Sequence, residues 1–384
     1  MGRGRRVYLA TPGPVEVPLR ILRALSRKPI HPFYDKEFSN LYKESVSFLR
    51  EVIGTEGDVL ILPGGGSLGI EAAIANIIGP GDKVLVLSNG FFGEVLKHLV
   101  NAYGGNVLSV DAEYGEIVEP AKVGELLEEN PDVKSVVMVH CETSTGVVNP
   151  LEEIAREVRE RSDAILIVDA ISTLGAMPIK ADAREIDIVI GASQKALSVI
   201  PGLAIVSVSE RAWKAIERRG YKGHYMNLKL WNRGVKEGKW PSTFPVNLLY
   251  ALHEALRMIF EEGLERVFER HRFVGGFVRS LVKSLNLRLV PSKEEYASDT
   301  VTVFYTPESI SPSELRDHLL RKYKVMIAGG LGTLRKSTAR IGHMGYGADK
   351  RLLKAVSSAL VRSLRDLGYS FDLERVEEVL KRLE

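Results

Sequence analysis

The sequence predicts an α/β large domain on a mainly parallel, seven-stranded sheet, followed by a smaller α+β domain at the C-terminal end. Seven short apolar runs between Asp58 and Ser209 predict the strands: DVLIL, KVLVLS, NVLSV, SVVMV, AILIVD, IDIVIG and LAIVSV. The pieces between them, such as SLGIEAAIANII, FFGEVLKHLVNAY and PLEEIAREVRERS, carry helical periodicity, and this alternation marks a parallel sheet covered by helices. From Asn247 to Leu285 the pattern turns into long helices, with Gly263 and the pair Gly275-Gly276 as expected breaks. LRLVP, TVTVFY, KVMIAGG and TARIGH, with amphipathic stretches between and after them, then read as the smaller domain. The expected boundaries are an N-terminal arm over residues 1–15, a large domain over 16–255 and a small domain over 256–384. The segment from Tyr221 to Pro245 lacks clear periodicity and is expected to be the longest loop.

Composition narrows the function. With 52 Lys+Arg against 49 Asp+Glu, and only a short basic cluster at Arg3, Arg5 and Arg6, nucleic acid is not an expected partner. One cysteine, Cys141, rules out an intramolecular disulfide and CxxC metal sites, and it fits a cytoplasmic setting. Pro12, Gly13 and Pro14 interrupt the start before a signal peptide could form, and no later run reaches ~18 apolar residues, so no membrane partner is expected. Abundant Lys, Arg and Glu with a single Cys suits a heat-stable protein.

The chemistry concentrates at strand ends. Strand DVLIL runs into Pro63, Gly64, Gly65, Gly66, Ser67, Leu68 and Gly69 and then a helix, so Gly64, Gly66 and Gly69 match G-x-G-x-x-G. Free N–H groups at a helix N-terminus suit a phosphate, while a plain strand-to-helix turn explains the glycines equally. A dinucleotide site would want an acid after the next strand, where KVLVLS instead leads to Asn89 and Gly90. Asp169 closes AILIV, and Lys195 follows IDIVIG. Singly, the first reads as a turn or helix cap and the second as a solvated charge. Together with a phosphate loop they match the needs of pyridoxal phosphate: a phosphate cradle, an amine for the aldehyde and a carboxylate for the ring nitrogen.

At this point the chain resembles the class V aminotransferases of fold type I, in particular the serine-pyruvate and alanine-glyoxylate branch. The likeness runs through TPGP, GGGSLGIEAA, SNGFFGE, HCETSTGVVNPLEEI, LIVDAISTLGAMPIKAD, DIVIGASQKAL, the run from Pro241 to Pro245, AGGLG and ARIGHMG. It implies a fold type I transferase in which Lys195 is the Schiff-base lysine, Asp169 the partner of the pyridine nitrogen and Thr143 the hydroxyl near the phenolic oxygen. It implies that Phe92, where relatives usually carry Trp, stacks on the cofactor. The phosphate would be held around Gly65, Gly66 and Ser67, by Gln194, and across a homodimer interface by Thr243 with Trp240, which stands where a tyrosine is common. Arg340 matches the receiver of the substrate α-carboxylate, with Gly13 helping to seat it. Where many relatives carry an HR pair shortly before Glu-Phe, this chain has Phe33, Tyr34, Asp35 and Lys36 before Glu37 and Phe38, which leaves side-chain preference open.

The implied reaction is transamination between serine or alanine and pyruvate or glyoxylate. Alternatives are another small-amine transaminase such as one for 2-aminoethylphosphonate, a nicotinamide oxidoreductase, and a non-catalytic relative. His140, Cys141 and Glu142 alternate in direction along a strand end, so no metal site is expected there. A desulfurase would need its cysteine on a later loop. His343 is expected to be a hydrogen-bonded structural residue.

Overall fold

A computed structural model describes residues 7–383; the basic cluster Arg3, Arg5 and Arg6 lies outside them. The large sheet has the strand order Asp58–Pro63, Leu203–Val208, Ile188–Ala192, Ile165–Asp169, Val133–Val139, Lys83–Ser88, Asn106–Asp111. All neighbours are parallel except those of Leu203–Val208, which is antiparallel to both. Parallel pairs need crossovers, and the helices Gly66–Ile77, Phe91–Ala102, Pro120–Glu129 and Leu151–Arg161 supply them. With both faces covered, the central strands read as unbroken apolar runs, and Val136, Val137, Leu166, Ile167, Val189 and Ile190 are fully or almost fully buried. Gly69 lets its helix lie close on the sheet: a Cβ there would stand 2.9 Å from Ile190 Cγ2 and 3.1 Å from Ala204 Cβ. The outer strand Asp58–Pro63 is covered by helix Lys36–Ile53, whose buried Tyr42 hydroxyl accepts from Ile61 N at 2.7 Å.

A second sheet has the order Tyr8–Ala10, Val325–Gly329, Thr338–Gly342, Val301–Tyr305. Its core is separate from the first and includes Val274, Phe277, Leu281, Phe304, Ile341 and Leu360. The strand Tyr8–Ala10 pairs parallel with Val325–Gly329, Tyr8 facing Val325, so residues far apart along the chain share this sheet.

Three expectations are corrected. The helix Leu264–Ser284 runs through Gly275-Gly276 without a break, because Gly275 serves a close approach: a Cβ there would stand 3.0 Å from Asp299 Cα. Gly263, at φ +93°, does end one helix and begin the next. The expected loop from Tyr221 to Pro245 contains the helix Leu228–Glu237, capped by the Asn227 side chain and by left-handed Gly238, with Trp231 buried beneath it. LRLVP makes only an isolated bridge, Leu289 to Phe304, instead of a strand. Among the described residues no helix is long and apolar enough to cross a membrane.

Candidate active site

Topology alone brings the expected residues to one edge. Strands Ile165–Asp169 and Ile188–Ala192 are parallel with Asp169 facing Ile190, so Asp169 and the turn carrying Lys195 leave the sheet on the same side. Two antiparallel steps through Leu203–Val208 make Asp58–Pro63 parallel to them, which puts Gly65 and Gly66 at that edge as well. Phe92 follows Lys83–Ser88 and Thr143 follows Val133–Val139, both at C-terminal strand ends.

Lys195 is largely enclosed, and its Nζ donates to the Pro12 carbonyl at 2.5 Å. Burial pushes its pKa down to about 8, with Asp169 pulling the other way. Gly13, at φ +109°, packs against this side chain: a Cβ would stand 2.7 to 2.8 Å from Lys195 Cδ, Cε and Nζ. The TPGP turn is wedged against the strand of Arg340 as well, since a Cβ on Gly342 would meet the Thr11 backbone at 2.2 Å. Gly13 therefore shapes the space around Lys195 directly.

Asp169 is buried and makes one side-chain hydrogen bond, accepting from Ile171 N at 2.9 Å. Burial pushes its pKa up to about 7. Arg340 is also buried; its Nε donates to Gly329 O at 2.7 Å and its Nη1 to Thr143 O at 3.3 Å. Among the described residues it has no ion pair, and burial lowers its pKa to about 10. Thr143 Oγ1 lies 2.7 Å from Ser172 Oγ.

These features fit pyridoxal phosphate. The helix Gly66–Ile77 begins with no side-chain cap and no acid in its first turn, leaving N–H groups for an anion. The position a Cβ of Gly65 would take opens into empty space, whereas Gly66 is pressed on Ile171 Cδ1 at 2.5 Å, so the loop sits down on the strand ends. Ser67 is exposed, and Gln194 has a buried Oε1 with no partner among the described residues. Two expected phosphate ligands are not gathered here by contacts within the chain. Trp240 packs among Phe38, Tyr42, Trp231 and Phe244 with its indole N–H buried and unpartnered, and Thr243 is exposed.

The side chains of His140, Cys141 and Glu142 go separate ways. His140 Nδ1 meets Thr173 Oγ1 at 2.9 Å, and burial pushes this imidazole down to about 3. Cys141 donates to Ser298 Oγ at 3.2 Å, and burial pushes its thiol up to about 12. Glu142, which in the sequence shows only as a metal-ligand type, has a different role. Its fully buried carboxylate accepts from Phe92 N, Gly93 N, Ser144 N and Ser144 Oγ at 2.7 to 3.1 Å. It thereby ties the start of helix Phe91–Ala102 to the loop carrying Thr143. The signal in the sequence was Gly90, a helix start without a capping side chain, which invites an anion from elsewhere. His343 is buried with both ring nitrogens bonded, to Thr302 Oγ1 at 2.8 Å and Asp299 O at 3.1 Å.

Comparison with known proteins agrees with this geometry. Residues 27–346 match the family model for aminotransferase class-V. The chain is 38% identical over 96% of its length, and 95% of the relative's, to an uncharacterized aminotransferase of Methanocaldococcus jannaschii. It is 34% identical to a serine–glyoxylate aminotransferase of Methylorubrum extorquens, covering 95% of this chain and 93% of that one. The crystal structure of ureidoglycine-glyoxylate aminotransferase from Bacillus subtilis superposes with a TM-score of 0.94 at 33% identity, covering 98% of each chain. The chain belongs to the class-V aminotransferase family, and it is an enzyme that transfers amino groups with pyridoxal phosphate as its cofactor.

Proposed function

We propose that the protein transfers the amino group of serine or alanine to pyruvate or glyoxylate. The observation carrying this reading is a buried lysine amine, lowered to about 8 and with no carboxylate in ion-pair range among the described residues, on the same sheet edge as an acid raised to about 7. Lys195 and Asp169 are the proposed catalytic pair. Gly65, Gly66, Ser67 and Gln194 would hold the phosphate, Phe92 and Thr143 the ring, and Thr243 with Trp240 would act from the second subunit of a homodimer with shared sites. When bound, the cofactor supplies an aldehyde for the lysine and a ring that withdraws electrons from the substrate α-carbon.

The chain's residues do the rest. Arg340, held by the Gly329 and Thr143 carbonyls, receives the substrate α-carboxylate and so orients its amino group, with Gly13 shaping the same turn. Lys195 Nζ, neutral above about pH 8, takes the proton from the substrate α-carbon and gives it up again as an acid. Asp169 would face the ring nitrogen of the cofactor, and the positive charge of that nitrogen would offset the cost of burying the carboxylate. The same reading proposes an arm over residues 1–15, a large domain over 16–255 and a small domain over 256–384; two main cores support a division into two, the first reaching Val267 and the second taking in Ala10 and the residues from Val274 on. It also proposes a cytoplasmic setting, supported by a single, buried cysteine.

The test is spectroscopic and covalent. The purified protein is expected to carry a yellow absorbance band that borohydride removes, leaving the label on Lys195. Lys195→Ala should stay folded and lose turnover across a panel of amino donors and oxo acids. A label on another residue, or an Ala variant that still turns over, refutes the assignment.

A further inference from the structure

A cleft of about 1040 Å³ opens beside Arg340, lined among others by Thr11, Phe91, Arg316, Gly329, Arg335 and Lys336. Its charge is one-sided. Among the described residues neither Arg316, Arg335 nor Lys336 has a carboxylate within ion-pair distance, whereas the one acid in the lining, Asp317, faces Arg321 at 3.8 Å. Gly329 couples two of the cations. Its carbonyl accepts from Arg340 Nε at 2.7 Å, and a Cβ on its α-carbon would stand 3.0 Å from Arg316 Nη1. Two guanidinium groups thus share one glycine as their meeting point, and Arg316 is half-buried there with no anion to offset it. Like charges gathered in a walled cleft focus a field that favours an anion.

We propose that Arg316 is a specificity residue that receives a second anionic group, on the side chain of one of the two substrates, while Arg340 holds the α-carboxylate. This rests on the transaminase reading above and deepens it. Beside the small substrates proposed above, the site then also takes an amino or oxo acid with a distal carboxylate or phosphate. A planar guanidinium suits both anions, since each offers two oxygens to its fork. Arg335 and Lys336, exposed at the rim, steer the anion inward and contribute less.

The holoenzyme is loaded with amino groups from alanine and then discharged with four acceptors: glyoxylate, pyruvate, oxaloacetate and a phosphorylated three-carbon oxo acid. The expected result is turnover of at least one dianionic acceptor, whose kcat/KM relative to pyruvate falls about tenfold or more in Arg316→Gln. The oxaloacetate and phosphorylated arms separate carboxylate from phosphate recognition. Melting curves of the cofactor-free protein give a second reading: maleate should raise the melting temperature more than acetate does, and Arg316→Gln should erase the difference. A ratio unchanged by Arg316→Gln overturns the proposal, as does a wild-type enzyme that accepts only glyoxylate and pyruvate, a result that leaves the transaminase reading standing. Failure of all four acceptors overturns both.

Discussion

Two buried aspartates on opposite edges of the large sheet meet burial in opposite ways. Asp187 precedes strand Ile188–Ala192 and is surrounded by partners: Arg159 Nη2 at 2.5 Å, Leu166 N at 2.9 Å, Ser209 Oγ at 2.9 Å and Arg211 Nε at 3.5 Å. Asp169 ends strand Ile165–Asp169, has a single donor, Ile171 N, and no cation in ion-pair range among the described residues. A buried charge surrounded by donors locks a fold, whereas one left short of them is costly until something outside the chain compensates it. Burial alone does not separate structure from function; the difference lies in whether the chain itself completes the acid's partners.

The sharpest way to break this contrast is to remove each acid. Asp169→Asn should lower kcat by about 10²–10³ through lost electrostatic stabilisation while the protein stays folded. The sign of its stability effect follows from the pKa. The folded carboxyl sits at about 7 against an ordinary 3.8, so the folded wild type binds more protons between those values and loses stability as pH rises from about 4 to 7. In the cofactor-free form, Asp169→Asn should therefore melt with wild type near pH 4 and above it at pH 8. Asp187→Ala should do the reverse, costing about 3–5 kcal/mol in denaturant unfolding while the folded fraction keeps its turnover. If the two variants exchange phenotypes, the distinction between completed and uncompleted acids is wrong.

A second test concerns the lysine beside Asp169. Only the neutral amine attacks an aldehyde, and burial has lowered Lys195 from 10.5 to about 8. Capture of pyridoxal phosphate by the cofactor-free protein, followed in stopped flow, should accelerate about tenfold per pH unit up to about 8 and level off above it. A rate that keeps climbing to pH 10 would mean that the amine is solvated and that this sheet edge is no different from the other.

Much of this arrangement was legible in the sequence, for identifiable reasons. Strands buried on both faces must be apolar throughout, so DVLIL, KVLVLS and AILIV declared themselves, and the residues ending such strands, Asp169 and the Lys195 turn, fall at the ligand edge of any parallel sheet. What stayed hidden depended on partners distant along the chain. The strand Tyr8–Ala10 is too short to signal itself and is defined by Val325–Gly329. Helix Leu228–Glu237 was masked by its Gly and Lys content, although Asn227 and Gly238 were its caps in plain view. Arg316 belongs to the site only because Gly329 folds back beside Arg340. Glu142 looked like one of three metal-ligand types because its true partners, Phe92 N and Gly93 N, lie in another helix.

Glu142 also supplies the smallest and most discriminating test, because it combines features of both aspartates. Like Asp187 it is fully hydrogen-bonded, and like Asp169 it sits at the ligand edge with no cation in ion-pair range among the described residues. Four donors, two from the opening turn of helix Phe91–Ala102, favour its charged form, yet burial outweighs them and pushes its pKa up. If completeness of partners decides the role, Glu142 is a positioning residue for Phe92 and Thr143. Glu142→Gln keeps the shape but turns an NH₂ group toward N–H donors, which should cost about 1–2 kcal/mol in thermal unfolding. Ser144→Ala removes one of the four bonds and also takes from Phe91 N its acceptor at 3.0 Å, and should cost a similar amount. Both variants should weaken retention of pyridoxal phosphate on dialysis while leaving kcat of the saturated enzyme within a few-fold, because neither changes Lys195 or Asp169. A large fall in kcat at saturating cofactor would instead place Glu142 with Asp169, among the acids that the chain leaves for its ligand to complete.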